Sequence, residues 1–333
     1  MREPAFWWHK GSLAAGLLSP FGIAYGSIAG NRMSRRGTIA ALPVLCVGNF
    51  TLGGAGKTPT ALMLVKMLRE AGENPFCLTR GFGGTDAGPH LVDAPSDAAK
   101  VVGDEALLLA RAAPTIVARN RVVGAAFAKA KGASVVIMDD GLQNASLAKD
   151  FTLAVVDARR GIGNGLVFPA GPLRAPLAVQ LKKTDALLIV GDGDDAHEVA
   201  AQAGIRPVFH ANLIPDPGTV AALKTRKVLA FAGIGDPNKF FATLTQAGIE
   251  VVKRQSFADH HRFSAEQAAE LVMQAEHEGL TLVTTEKDHA RMAGAPELAA
   301  LAAKAQVLPV TMTVAEKDAL AAAVLAAIAR RRR

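Results

Sequence analysis

The segment Thr51-Leu52-Gly53-Gly54-Ala55-Gly56-Lys57-Thr58 constrains this chain more than any other stretch. An apolar run at residues 43–47 precedes it. A helical run at 59–71 follows, with Gly72 placed to stop it. Strand, glycine-rich turn and helix, in that order, are the setting of a phosphate-binding loop. Glycines let backbone N–H groups converge on phosphate oxygens, and the helix N-terminus adds the positive end of its dipole. Lys57 then reaches the β- and γ-phosphates, and the Thr58 hydroxyl holds Mg²⁺. The pattern departs from G-x-x-x-x-G-K-[ST] only at Thr51, which stands at the first glycine. That position closes the loop and touches phosphate least.

A metal at that loop needs a carboxylate at the end of another buried strand. Residues 135–138 are apolar and run into Asp139, Asp140 and Gly141, the pattern of a Walker-B element that orders Mg²⁺ directly or through water. Further strands are expected at 76–79, 115–118, 153–156 and 186–190, alternating with helices such as 122–131. That alternation predicts an α/β fold with a doubly wound, mainly parallel sheet.

At 333 residues the chain is too long for one typical core. The period is lost in the Pro-rich stretch 205–218, and a second series starts at 228–231. It continues through the 233–235 turn, a helix at 237–247, strands at 250–252 and 280–284, and a closing helix at 319–329. The expected division is a helical N-terminal segment 1–36, a P-loop domain 37–212, a linker 213–226 and a smaller α/β domain 227–333. With only 2 cysteines, a disulfide scaffold or a Cys-built zinc site is excluded. Cys46 and Cys77 sit among apolar residues and read as reduced core positions.

The N-terminus concentrates what the rest lacks. Trp7 and Trp8 are adjacent, the sole tyrosine is Tyr25, and no charge occurs from Gly11 to Asn31. Lys10 precedes this stretch; Arg32, Arg35 and Arg36 follow it. The length matches the ~20 residues of a membrane span, but Pro20 and several glycines dilute its hydrophobicity. No small-residue cleavage site marks a signal peptide. An interfacial helix fits better, with tryptophan at the headgroups and arginine toward anionic lipid. A net charge of +7 beside a mean hydropathy of +0.22 agrees with an anionic partner or a membrane surface. The Arg330–Arg333 tail reads as a solvated end. Nothing in the pattern points to nucleic acid, and no protein partner is evident.

Several P-loop classes fail on local motifs. A GTPase needs N-K-x-D after a strand; Lys182-Lys183-Thr184-Asp185 lacks the Asn and precedes its strand. Partitioning-type ATPases carry an extra lysine where Leu52 stands. A small-molecule kinase remains, which requires a base for an acceptor hydroxyl and cations for the moving phosphate. Asp104, Glu105, His260 and His261 are the candidates.

Taken together, the motifs resemble the lipid A 4′-kinase (tetraacyldisaccharide 4′-kinase) family over nearly the whole chain. They are Ser19-Pro20-Phe21-Gly22 through Tyr25-Gly26, Val47-Gly48-Asn49, Thr58-Pro59, Thr79-Arg80-Gly81-Phe82-Gly83 and Val102-Gly103-Asp104-Glu105. Asp139-Asp140-Gly141-Leu142-Gln143-Asn144, Pro169-Ala170-Gly171-Pro172-Leu173-Arg174, Ala232-Gly233-Ile234-Gly235, Asp259-His260-His261-Arg262-Phe263 and Thr284-Thr285-Glu286-Lys287-Asp288 follow. The resemblance implies ATP- and Mg²⁺-dependent phosphorylation of the 4′-hydroxyl of a tetraacylated glucosamine disaccharide 1-phosphate, at the cytoplasmic face of the inner membrane. It implies Asp104, His260 and Lys57 as catalytic residues. Thr51 to Thr58 hold ATP, with Thr58, Asp139, Asp140 and Glu105 at the metal. Arg174, Asn49 and Gln143 fall on the substrate side. The family's glutamate after that arginine is Ala175 here. His260 is preferred to His261 because it fits the family's order. Asp104 and His260 lie on different expected domains, so the domains are expected to close over the substrate. The second reading is a P-loop NTPase acting as a conformational switch or metallochaperone. A soluble small-acid or vitamin kinase is a third, which leaves the N-terminal segment unexplained.

Overall fold

The computed structural model describes residues 3–333. Its strands are β1 (Val44–Asn49), β2 (Pro75–Thr79), β3 (His90–Leu91), β4 (Thr115–Val117), β5 (Val135–Asp139), β6 (Phe151–Asp157), β7 (Ala186–Val190), β8 (Val208–Pro215), β9 (Lys227–Ala232), β10 (Glu250–Ser256), β11 (Thr281–Thr285), β12 (Gln306–Leu308) and β13 (Val310–Val314). Nine form one sheet in the order β13-β8-β7-β6-β1-β5-β2-β4-β3; four form a second, β10-β9-β11-β12. In the large sheet only the edge pairs β13·β8 and β3·β4 run antiparallel.

The parallel centre has helices on both faces, so its strands must be apolar on both sides. β1, β5, β6 and β7 are accordingly buried at every position. On one face Leu64 and Leu68 of helix Lys57–Glu70 pack with Val324 and Ile328 of helix Lys317–Arg332. On the other, Ala125 and Ala128 of helix Arg121–Ala130 lie on Leu78 and Val136. Chain order reverses around β1, which sits between β6 and β5. The crevice outside the carboxyl ends of such strands is where a doubly wound sheet binds ligands.

The small sheet is parallel and also covered on both faces. Phe241 and Leu244 of helix Pro237–Gln246 fill one side. Leu271 and Ala275 of helix Ala265–Glu278 pack with Phe231 and Phe263 on the other. Ser264 and Gln267 close that helix's N-terminus as a capping box.

Three expectations need correction. The linker expected at 213–226 begins inside β8, which pairs with β7 and β13, and continues as helix Pro217–Leu223, capped by Asp216. An alternately buried, proline-bounded strand on the flank of a sheet lacks the apolar run that marked the central strands. The smaller domain does not extend to residue 333. β13 returns to the large sheet and the last helix packs into its core. The small sheet is thus inserted between β8 and β13. The arginine tail is also not simply solvated: Arg332 bonds Glu73 at 2.7 Å, and Arg331 lies 3.4 Å from Asp150.

The uncharged N-terminal stretch is helix Leu13–Ser34. Gly22, Gly26 and Gly30 form a flat seam on it, one turn apart, against Val167, Ala170, Pro176 and Val179. Without side chains there, the helix sits close to the large domain. Away from the seam it exposes Leu13, Leu17, Phe21, Ile23 and Ile28.

Candidate active site

The phosphate-binding loop leaves β1 at Asn49 and enters its helix at Lys57. Gly56 has φ +94°, a left-handed turn that a side chain would strain, and it allows the helix to start there. Asn49 is expected on the substrate side, but the structure buries it completely. Its Nδ2 donates to the carbonyls of Thr51 (2.8 Å) and Gly53 (3.3 Å), and its Oδ1 accepts from Lys57 Nζ at 3.3 Å. Asn49 therefore braces the loop and aims the lysine. Gln143 Nε2 donates to the Asn49 carbonyl and to Gln180, each at 2.8 Å. Arg174 donates from Nε to the Thr51 carbonyl at 2.9 Å and from Nη1 to both Asp140 oxygens at 2.8 and 3.0 Å. Arg174 and Gln143 face the cavity, so they retain access to a ligand as well.

The carboxylates expected at the metal differ in state. Asp140 pairs with Arg174 and lies 3.7 Å from Lys57. Burial opposes its charge, but those two cations hold its carboxyl well below the usual range. Glu105 is bonded to Lys287 at 2.6 Å, so its carboxylate is engaged across the domain boundary. Asp139 Oδ1 accepts from the Asp140 N–H at 3.0 Å, but its Oδ2 is buried and unpartnered. Burial, then the neighbouring Glu105 and Asp140, push it up to about 7. An acid surrounded by acids, with an orphaned oxygen, is what a divalent cation relieves. Among the described residues no three His, Cys, Asp or Glu side chains converge as a complete metal cage. Mg²⁺ needs none, since it is usually held by one or two carboxylates together with phosphates and water. Thr58 and Asp139 fit that role, Asp140 and Glu105 less directly.

Asp104 begins helix Asp104–Ala112 and is buried. His260 Nδ1 lies 3.4 Å from its Oδ2. Arg291 Nε donates to the same oxygen at 2.6 Å, and the Glu105 N–H donates to Oδ1 at 2.9 Å. Burial raises the Asp104 pKa, but the His260 hydrogen bond and the charges of Arg291 and Lys287 overcome it and hold the carboxyl far below its ordinary value. His261 points elsewhere, with its ring stacked on Phe257 and its Nε2 2.8 Å from Gln267. Among the described residues the non-glycine positions with left-handed backbone are Asp140 (φ 49°) and His260 (φ 55°). Such geometry costs about 1 kcal/mol or more and concentrates at functional sites.

Further cations line the boundary between the two domains. Arg291 Nη1 donates to the Gly233 carbonyl and to Asp288 Oδ1, both at 2.6 Å. Asp288 in turn accepts from the Gly233 N–H at 3.0 Å and the Thr285 hydroxyl at 2.6 Å. Arg160 bridges Glu3 (2.6 Å) and Asp236 (2.9 Å), and Lys239 meets Asp157 at 2.8 Å. Lys287 falls in a motif already quoted. Arg291 carries no sequence signal, because its partner Asp104 is 187 positions away. At Gly235 an added Cβ would lie 2.9 Å from Gly54 N, so the two domains touch backbone to backbone at the phosphate loop.

Between the domains lies a cavity of about 1770 Å³. Lys57, Glu105, Asp140 and Arg174 face it from the large domain; Asp259, His260 and Lys287 face it from the small one. Anion cradle, metal-competent carboxylate and a histidine backed by a carboxylate suit the transfer of a phosphoryl group to a hydroxyl.

A family model described as tetraacyldisaccharide-1-P 4′-kinase matches residues 14–329. The chain is 54% identical to a tetraacyldisaccharide 4′-kinase from Rhodopseudomonas palustris (strain BisB5), across 96% of this chain and 95% of that protein. It is 52% identical to one from Nitrobacter winogradskyi, across 100% and 99%. A crystal structure of LpxK from Aquifex aeolicus in complex with ATP superimposes with a TM-score of 0.72 at 24% identity, covering 95% of this chain and 100% of that one. This last match bears on the fold.

Proposed function

The chain belongs to the tetraacyldisaccharide-1-P 4′-kinase family, and from that premise we propose how its own residues carry out the reaction. It transfers the γ-phosphoryl group of ATP to the 4′-hydroxyl of a tetraacylated glucosamine disaccharide 1-phosphate, a step of lipid A synthesis. The observation that carries the reading is the backing of His260 by buried Asp104 at the wall of the cavity that also holds the phosphate loop.

The loop N–H groups and Lys57 bind the nucleotide's phosphates. Thr58 and Asp139 would hold Mg²⁺, which offsets the negative charge of the transferring group. His260 lines the cavity, whereas Asp104 lies behind it. In this arrangement His260 meets the acceptor hydroxyl, and Asp104 holds the ring and supports its positive charge as the proton leaves oxygen. Lys287 and Lys57 supply positive charge from opposite walls. Because His260 and Lys287 come from the small domain, closure assembles the site and excludes water, which limits wasteful hydrolysis. Crosslinking the domains apart should abolish transfer; unchanged turnover would refute the closure.

A membrane-surface setting is supported by helix Leu13–Ser34. It docks on the protein by its glycine seam and leaves large apolar side chains outside. Such a face fits the headgroup–acyl boundary, with Arg32, Arg35 and Arg36 toward anionic lipid. We place it at the cytoplasmic face of the inner membrane, as a peripheral or monotopic anchor that brings the cavity to its lipid substrate.

The deciding experiment incubates the protein with labelled ATP and the acylated disaccharide 1-phosphate in detergent. Labelled lipid is the expected product. Robust hydrolysis without labelled lipid would favour the NTPase-switch reading instead.

A further inference from the structure

The tip of the phosphate loop is pressed between two segments that the loop pattern does not call for. On one side lie the N-terminal turn Ala5–Trp8 and the residues just before it. An added Cβ at Gly53 would strike the Glu3 carboxylate, so that acid rests on the loop backbone. On the other side Gly235, next to Asp236, abuts Gly54. The loop gathers anions, and a bare carboxylate beside it repels the phosphates it holds. Glu3 and Asp236 both stand there, with Asp259 close enough to act on Glu3.

One guanidinium answers both acids. Arg160 Nη1 meets Glu3 at 2.6 Å and its Nη2 meets Asp236 at 2.9 Å. Among the described residues no other cation pairs with either. The Trp8 ring covers the guanidinium face, with its centre 4.7 Å from Cζ, while the carboxylates take the edge. Burial raises the Glu3 pKa above its ordinary 4.5, Arg160 opposes this, and Asp236 and Asp259 add to it. The position of Arg160 follows from the sheet. β6 pairs with β1 in the register Asn49↔Val155, so the turn at 157–160 leaves the sheet beside the loop. Trp8, Asp157 and Arg160 share a small hollow with residues 51–55. The same turn grips the small domain a second time through Asp157 and Lys239. The N-terminal turn is fixed as well: Trp7 Nε1 donates to the Pro169 carbonyl at 3.0 Å, and the Asn164 N–H donates to the Trp7 carbonyl at 2.7 Å.

We propose that Arg160 is a positioning residue of the ATP site, which draws the N-terminal segment and the small domain onto the loop tip and neutralises their carboxylates toward the phosphates. The proposal rests on the nucleotide role of the loop given above. The residues before helix Leu13–Ser34 thereby belong to the nucleotide site. Arginine suits the task, because its planar fork can serve two carboxylates while its face stacks on an indole.

The test measures binding of a non-hydrolysable ATP analogue with Mg²⁺ by calorimetry, and KM for ATP and kcat in lipid phosphorylation. The proteins are wild type, Arg160→Gln, Arg160→Lys, and Arg160→Gln combined with Glu3→Gln. Arg160→Gln should weaken analogue binding and raise the KM for ATP about 10-fold, the scale of a lost charge-assisted contact. At saturating ATP its kcat should stay within about twofold of wild type. Adding Glu3→Gln should recover about 3-fold or more of the affinity, because it removes a stranded carboxylate beside the phosphates; an arginine that only supports the fold predicts no such gain. Arg160→Lys keeps the charge but not the fork and should fall between, and it carries the test should Arg160→Gln fail to fold. Analogue binding equal to wild type in the Arg160 variants would overturn the proposal. So would a double variant that binds no better than Arg160→Gln, or a loss confined to kcat. Wild type that binds the analogue but yields no labelled lipid would instead refute the proposed function and leave the role of Arg160 standing.

Discussion

Arg291→Met is the most informative perturbation of the domain boundary. The arginine is 5% exposed at its side chain, Asp104 4% and Asp288 0%. Methionine keeps much of the volume but removes three hydrogen bonds, two of them to carboxylates. Asp104 keeps the Glu105 N–H and His260; Asp288 keeps the Gly233 N–H and the Thr285 hydroxyl. Both carboxylates lose their closest cation in a buried place, which costs about 3–5 kcal/mol. For a unit the size of residues 227–308, each kcal/mol is worth about 4–8 °C. The thermal midpoint should therefore fall by more than about 10 °C. Asp104→Asn in the Arg291→Met background removes one stranded charge. The double variant should recover about 1 kcal/mol or more relative to the sum of the single effects. Asp104→Asn alone should slow transfer by about 10²- to 10⁴-fold, the range of a lost acid–base contribution. Adding Arg291→Met should slow it little further. Thermal unfolding and a lipid-phosphorylation assay on the four proteins check this. A midpoint within ~2 °C of wild type for Arg291→Met, or additive effects in the double variant, would refute the coupling.

Other outcomes follow from single contacts. Gly235→Ala puts a methyl against the Gly54 backbone. It should hold the small domain off the loop at about 1–3 kcal/mol, seen as a rise in KM for ATP with little loss of stability. Gly26→Leu should unseat the N-terminal helix from Val167 and Pro176, measured as faster tryptic cleavage near Arg32. Leu17→Asp alters only the exposed face and should weaken binding to anionic vesicles without changing that cleavage. The Arg332 hydrogen bond, aided by Ser134, holds Glu73 below its ordinary 4.5. A depressed carboxylate stabilises the fold above its unfolded pKa and loses that contribution as pH falls through the folded value. The stability of Glu73→Gln should therefore start lower at neutral pH and fall less steeply on acidification below about 4.5; parallel pH profiles would contradict this.

The elements legible in the sequence share a physical trait. β1, β5 and β7 are short apolar runs because both faces of a parallel sheet are covered. The phosphate loop is legible because its anion cradle is built from consecutive backbone groups. Helix Leu13–Ser34 announces itself by its lack of charge. β8 and β13 carry no continuous apolar signal, because one side of each meets solvent.

The sequence by itself determined the chemistry that adjacent residues can specify, namely a nucleotide loop at Thr51–Thr58, a carboxylate at the end of β5 and an apolar N-terminal helix. Tertiary structure decided which distant side chains meet. It turned the His260 ring toward Asp104 and the His261 ring onto Phe257 of the small domain. It made Asn49 a brace by burying it beneath the loop. It paired Glu105 with Lys287 and Asp104 with Arg291. Strand and loop signals arise within a few residues, whereas these pairings depend on how a sheet inserted between β8 and β13 settles on the one that carries the loop.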